Sequence, residues 1–241
     1  MTKENSEHPS KREELATWYR SLITNKRYKP TGSSVEGRSI DEEAASDRAC
    51  VIYSSAFRRL QHKTQVFTLS RDAAVRSRLT HSMEVANVGR WIAQKVVDKS
   101  LEAAGLEQKY CAAFVSLIET GCLAHDIGNP PFGHFGEAAV QDWFRTKWAS
   151  TVGNHAEDGR LQEFVKNFLS FDGNPQGLRI LTRLQGRTRA ERREYGMDMT
   201  YSQILTALKY PRGPLDATKW KKAGFFESER PKIEAAWEGQ F

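Results

Sequence analysis

Apolar positions recur at helical spacing along most of the chain. Behind a capping-box pattern formed by Ser39 and Glu42, small and apolar residues repeat every three or four positions, which predicts a first helix over residues 40–63. The same spacing predicts two further helices, over residues 75–104 and 107–127. No segment alternates apolar and polar residues between turn signals, so the pattern predicts an all-α fold.

The flanking regions divide the chain into an arm and a body. Residues 1–38 are polar and contain glycine and serine breakers, which predicts a loose N-terminal arm ordered by packing Trp18, Tyr19 and Leu22 onto the body. The body, residues 39–241, is predicted to form one helical domain. Beyond the three long helices, shorter helical patterns cover residues 137–148, 161–171, 175–184, 199–209 and 227–238.

Composition narrows the class of protein. A chain of 241 residues with 39% apolar content can bury a real core. The mean hydropathy of −0.62, the lack of a membrane-length apolar run and a polar N-terminus predict a cytoplasmic protein with no membrane partner. Cys50, Cys111 and Cys122 fall in apolar helical patterns and are expected to be reduced packing residues. The net charge of +6 indicates a polyanionic partner about as readily as a solvated surface.

Site-like chemistry is concentrated in residues 125–137. This stretch places His125, Asp126, His134 and Glu137 on a turn built from glycines and prolines. His125 and Asp126 follow an apolar run that reads as a buried helix, and polar side chains at the end of such a helix need a partner. A bound cation is one way to supply that partner.

A third metal ligand must come from another element. Adjacent side chains on a helix diverge by about 100°, so His125 and Asp126 can share an ion only at a helix end. His81 is the best candidate, although a helical histidine taken alone is more often a core or surface residue. Arg78 lies three residues before His81, where its guanidinium could meet a phosphate beside the ion.

His134 and Glu137 form a second candidate pair. The glycines and prolines after Asp126 break any continuous helix, so His134 must reach the site through the turn. Glu137 follows at the spacing at which a carboxylate can hold an imidazole, which predicts a positioned proton donor or acceptor. The alternative is that both residues only serve the start of the next helix.

Five stretches in order resemble the deoxyguanosine triphosphate triphosphohydrolases of the HD-domain phosphohydrolase superfamily. They are residues 58–61, 63–67, 78–85, 125–137 and 208–210. The resemblance implies an HD-domain helical bundle over residues 39–241. It also implies that the chain corresponds to the N-terminal half of such a protein and is truncated at its C-terminus.

The resemblance also assigns roles. It implies one divalent ion held by His81, His125 and Asp126, with magnesium or manganese favoured and iron, cobalt, nickel or zinc as alternatives. It implies hydrolysis of deoxynucleoside triphosphates, dGTP favoured, to deoxynucleoside and tripolyphosphate, with His134 and Glu137 as the catalytic pair. Implied substrate-binding positions are Gln61 at the sugar 3′-hydroxyl and, for the phosphates, Arg78, Asn174, Lys209, Tyr210 and Lys222.

Partners and competing functions follow from the same resemblance. It implies a homo-oligomer and, for some members, binding of single-stranded DNA. The superfamily adds a second aspartate to its metal site from a later helix, but no aspartate follows Asp216 in this sequence. The sequence therefore leaves open a non-catalytic HD module that binds a nucleotide or single-stranded nucleic acid together with a partner chain. Another HD phosphohydrolase, such as a 5′-nucleotidase or a cyclic-nucleotide phosphodiesterase, is a third reading.

Overall fold

The chain is helical throughout the part that the structure describes. The computed structural model describes residues 10–29, 35–63, 76–153, 159–186, 194–216 and 222–239, so residues 64–67 of one quoted motif lie outside it. Within these ranges no strand forms, and Arg27 and Thr200 pair in an isolated antiparallel bridge. The predicted all-α class is confirmed.

Helices of very different length build this fold. The α-helices, labelled in chain order, are α1 Lys11–Leu22, α2 Ile40–Tyr53, α3 Ser55–Arg58, α4 Arg78–Val96, α5 Gln108–Ala124, α6 His134–Thr146, α7 Trp148–Val152, α8 Gly159–Leu169, α9 Gly173–Arg179, α10 Tyr201–Ala207 and α11 Arg230–Glu238. Short 3₁₀ turns cover Arg59–His62 and Glu227–Glu229, and π-helical turns cover Val97–Leu101 and Ile180–Leu184.

Helix α5 lies at the centre and packs against α2, α4 and α10. The face of α4 that meets α5 carries small residues, including Ala86, Gly89 and Ala93, so the two backbones can approach closely. A Cβ built on Gly89 would overlap the Sγ of Cys122 on α5. This close packing brings the first turn of α4 beside the last turn of α5, where the candidate metal ligands lie.

The prediction of a single continuous helix over residues 40–63 is wrong. Helix α2 ends at Tyr53, and Ser54 takes an extended conformation before α3 begins. The hydroxyl of Ser54 accepts a hydrogen bond from the backbone N–H of Phe57, so it caps the new helix. The apolar spacing continues through the break, which is why periodicity alone did not reveal it.

Two other expectations are corrected. Residues 11–22 of the predicted loose arm form α1, because Ser10 and Glu13 make a reciprocal capping box. Tyr19 packs edge-to-face on Phe114 of α5, as expected of the arm. Cys50 is exposed rather than a packing residue, because it lies on the outer side of α2. Among the described residues, no helix combines the length and apolar character required to cross a membrane.

Candidate metal centre

The first turn of α4 presents His81. Ser77 has an extended conformation and its hydroxyl accepts the backbone N–H of Thr80, which fixes the start of α4 at Arg78. The backbone N–H of Arg78 donates to the carbonyl of Lys63 at 2.8 Å. This hydrogen bond holds the residue that follows the first 3₁₀ turn against the start of α4. His81 is therefore held in a capped first turn.

The end of α5 presents His125 and Asp126. Nδ1 of His125 lies 2.7 Å from the carbonyl oxygen of Cys122. Because a carbonyl oxygen can only accept, Nδ1 carries the hydrogen, and the lone pair of the neutral ring lies on Nε2. This tautomer is the one a metal ligand needs, since its second nitrogen is held by the protein.

The three candidate ligands converge. One ligand atom from each of His81, His125 and Asp126 lies within 4.8 Å of the other two, and this is the one such group of three or more in the described part of the chain. The two imidazole rings meet at 72° with centroids 5.4 Å apart. Nε2 of His125 is 3.5 Å from Oδ1 of Asp126.

The carboxylate of Asp126 is oriented by two further side chains. Arg78 donates to Oδ2 at 2.9 Å in a buried ion pair, and the side-chain amide of Asn129 donates to Oδ1. Each carboxylate oxygen can accept two hydrogen bonds or a bond to a cation, so these contacts leave capacity for an ion. Donors that orient a ligating carboxylate are typical of metal sites.

The donor set fits a divalent transition metal. Two imidazoles and one carboxylate match the mixed nitrogen and oxygen ligands that manganese, iron, cobalt, nickel and zinc accept, whereas magnesium prefers oxygen alone. His125 presents the required lone pair, and Arg78 and Asn129 orient Asp126. The three residues could therefore hold such an ion.

His134 and Glu137 form a hydrogen-bonded pair on α6. Gly133 and Phe132 both have positive φ, and α6 begins immediately afterwards at His134, three residues earlier than predicted. Nδ1 of His134 lies 2.6 Å from Oε2 of Glu137. The carboxylate is buried, whereas the imidazole is 84% exposed, so Nε2 faces solvent. Within the described residues, no hydrogen bond links His134 to the three candidate ligands.

A basic group lies beside this pair. The ammonium of Lys222 is 3.2 Å from Oδ2 of Asp172, and it interacts electrostatically with Glu137 and Tyr210. Burial opposes the charged ammonium, but the Asp172 carboxylate outweighs it and raises the pKa of Lys222. Lys222 is therefore a cation at neutral pH, close enough to Glu137 to interact with its carboxylate electrostatically.

The other predicted substrate positions are less directly connected. Asn174 donates its side-chain amide to Asp172, the N-cap of α9. Lys209 is exposed, and its ammonium lies 5.7 Å from the centre of the Tyr210 ring. Gln61 is exposed in the 3₁₀ turn, two residues before Lys63. The structure thus connects Lys222 electrostatically with Glu137 and Tyr210, and Asn174 with Asp172. Among the described residues, no contact places Gln61 or Lys209 at the three candidate ligands.

The HD-domain family profile matches residues 78–208, from the first residue of α4 to the end of α10. This range covers more than half of the chain and contains the three candidate ligands. The chain belongs to the HD-domain family. The HD domain places its histidine and its histidine–aspartate pair on α4 and at the end of α5.

Curated relatives narrow the comparison. The chain is 42% identical to the deoxyguanosinetriphosphate triphosphohydrolase of Salmonella paratyphi A, in an alignment covering 78% of the chain and 42% of that protein. It is 44% identical to the protein of the same name from Klebsiella pneumoniae strain 342, over the same shares. The chain spans less than half the length of the curated relatives it matches.

Three residues that contact or orient the predicted site residues were not assigned a role from the sequence. Lys63 donates to the carbonyl of Asn129 at 2.6 Å, and burial, with help from the charges of Arg78 and Arg59, lowers its pKa. Asn129 orients Asp126, and Asp172 holds Lys222. Asn129 was within reach of sequence reasoning because it follows Asp126 by three residues, but the contacts of Lys63 and Asp172 depend on tertiary packing.

Proposed function

We propose that this HD domain is part of a metal-dependent phosphohydrolase that cleaves deoxynucleoside triphosphates, dGTP favoured, to deoxynucleoside and tripolyphosphate. The observation that carries the proposal is the convergence of His81, His125 and Asp126 on one ion position. The identity to proteins named deoxyguanosinetriphosphate triphosphohydrolase supports the substrate class. Manganese is one of the divalent metals that two imidazoles and a carboxylate can hold.

The metal and the basic residues would both interact with the phosphates of the substrate. A divalent ion held by His81, His125 and Asp126 would polarise a phosphate oxygen and acidify a bound water. A triphosphate carries several negative charges, and Lys63, Arg78 and Lys222 supply positive charge around the centre. Arg78 also holds Asp126, so it has two tasks: it orients a ligand and it lowers the cost of bringing an anion to the site.

The His134–Glu137 pair supports proton transfer at the leaving group. Glu137 accepts the Nδ1–H of His134 and so fixes which nitrogen faces outward. The ring can then give or take a proton at Nε2. When a phosphorus–oxygen bond breaks, the departing oxygen of the nucleoside gains negative charge, and a proton from Nε2 neutralises it.

The product separates the candidate functions. The purified 241-residue chain is incubated with each deoxynucleoside triphosphate and manganese or magnesium, and the products are resolved by anion-exchange chromatography. Tripolyphosphate is the expected product. Inorganic phosphate would indicate a different HD phosphohydrolase, and binding without turnover would favour the non-catalytic module that acts with a partner chain.

Lys222 is expected to contribute to substrate affinity. The change Lys222→Ala removes the positive charge that interacts with Asp172 and Glu137. Hydrogen bonds to charged groups contribute about 1.5–3 kcal/mol, so KM for dGTP should rise by roughly 10- to 100-fold. The matched control is Lys95→Ala, which removes an exposed lysine near the other end of α4 and should leave KM unchanged. Steady-state kinetics measure both, and an unaltered KM in Lys222→Ala would remove Lys222 from the site.

Other parts of the proposal follow the family resemblance. They are assembly as a homo-oligomer, single-stranded DNA as a further ligand and a cytoplasmic location. Analytical ultracentrifugation and a fluorescence titration with an oligodeoxynucleotide test the first two. Neither is needed for the chemistry proposed at the metal centre.

A further inference from the structure

The two halves of the candidate site meet on the first turn of α9. One half is the metal turn, residues 125–129, and the other is the His134–Glu137 pair. The backbone N–H of Gly173 donates to Oε1 of Glu137 at 2.8 Å. The same glycine packs against Asn129: a Cβ built on Gly173 would lie less than 3.0 Å from Oδ1 of Asn129, closer than real Cβ atoms approach.

Gly173 contacts Glu137 and Asn129, and each of these residues orients a proposed functional side chain. Oε2 of Glu137 holds the imidazole of His134, so the anchored Oε1 determines where that carboxylate can lie. The amide of Asn129 donates to Asp126, and its backbone carbonyl accepts from Lys63. An amide has one orientation that offers its NH₂ to Asp126, and Gly173 lies against the opposite, oxygen end.

The metal turn and α9 also meet backbone to backbone. A Cβ on Gly128 would lie less than 3.0 Å from the carbonyl oxygen of Gly173 and from the backbone nitrogen of Gly177. Gly128 and Gly173 are buried, so neither contact can be relaxed by moving into solvent. The absence of side chains at this junction therefore sets the distance between the metal turn and α9.

We propose that Gly173 is a positioning residue shared by the metal centre and the His134–Glu137 pair. Its missing side chain leaves room for the Asn129 amide that orients Asp126, and its N–H fixes the carboxylate that orients His134. The inference rests on the metal centre and the catalytic pair of the proposed function. It goes further because it makes one residue outside the 125–137 stretch responsible for the alignment of both.

The test uses three substitutions with different expected patterns in the 241-residue chain. Asn129→Ala should weaken Mn²⁺ binding and leave His134 unchanged, because it removes only the donor to Asp126. Glu137→Gln should change His134 and leave Mn²⁺ binding unchanged. Gly173→Ala should do both, with Mn²⁺ affinity reduced about 10- to 100-fold, the range seen when groups behind metal ligands are altered.

Two measurements read these patterns. Isothermal titration calorimetry gives the Kd for Mn²⁺, and the ¹⁵N chemical shifts of the His134 ring, recorded without metal, report its hydrogen bond to Glu137. The matched control is Gly177→Ala, one turn later in α9, where a Cβ would meet Gly128 at an ordinary 3.4 Å. That variant should match wild type in both measurements.

A second variant allows for the case in which Gly173→Ala does not fold. If Gly173→Ala proves too unstable in a thermal melt, Gly173→Ala with Asn129→Gly removes the colliding atoms. That double variant should restore the His134 shifts while Mn²⁺ binding stays weak. Wild-type values in both measurements, for either Gly173 variant, would refute the shared anchor alone. A wild-type chain that takes up no Mn²⁺ would refute the metal centre and the anchor with it.

Discussion

Replacing Asp126 with alanine is expected to abolish binding of Mn²⁺ and, with it, turnover. Asp126 is the one carboxylate in the converging group, and it carries the negative charge that offsets the cation. Mutating a residue that only orients a metal ligand lowers metal affinity by up to about 100-fold. Removing Asp126 removes a ligand itself, so the Mn²⁺ affinity should fall by more than this. Calorimetric titration with Mn²⁺ measures the effect.

The same substitution should also destabilise the fold. The side chains of Arg78 and Asp126 are each only 10% exposed, and removing one partner of a buried ion pair costs about 3–5 kcal/mol. Asp126→Asn separates the two effects, because the amide oxygen can still accept from Arg78 while the ligand charge is lost. Asp98→Ala, which removes an exposed carboxylate on the π-helical turn after α4, is the control for both. Undiminished Mn²⁺ uptake by a folded Asp126→Ala chain would contradict the assignment.

Replacing His134 with alanine is expected to stop turnover while leaving the metal in place. His134 makes no hydrogen bond to the three ligands in the described structure, and a positioned proton donor contributes about 10²- to 10⁴-fold to the rate. We therefore expect kcat to fall by that factor and the metal content to equal that of wild type. Quenched-flow or steady-state release of tripolyphosphate gives kcat, and elemental analysis gives the metal content.

A graded series strengthens this prediction. Glu137→Gln keeps an acceptor for Gly173 but loses the charge that favours the Nδ1–H form of His134, so its kcat should lie between those of His134→Ala and wild type. Asp142→Asn changes an exposed carboxylate two turns further along α6 and should leave kcat unchanged. Wild-type kcat in His134→Ala would show that the pair only starts the helix.

The sequence was sufficient to predict which three residues could hold a metal but not the contacts that align them. The helices carrying His81 and His125 were recognised from apolar spacing, and the need of the buried His125–Asp126 pair for a partner suggested a cation. His81 was the best candidate for a third ligand, and the family resemblance supplied the full set. The break at Ser54 was missed because its cap replaces one helical hydrogen bond by another without disturbing the apolar period. The contact between Gly173 and Asn129 joins segments more than forty residues apart, and a glycine leaves no side-chain pattern in the sequence to reveal it.

The most direct test of the account is the position of the metal itself. Crystals of the chain grown with Mn²⁺ would be measured at the manganese absorption edge, and an anomalous difference map would be calculated. The account predicts one strong peak within coordination distance of His81, His125 and Asp126. A peak elsewhere, or none at these three side chains in a chain that still hydrolyses dGTP, would contradict it.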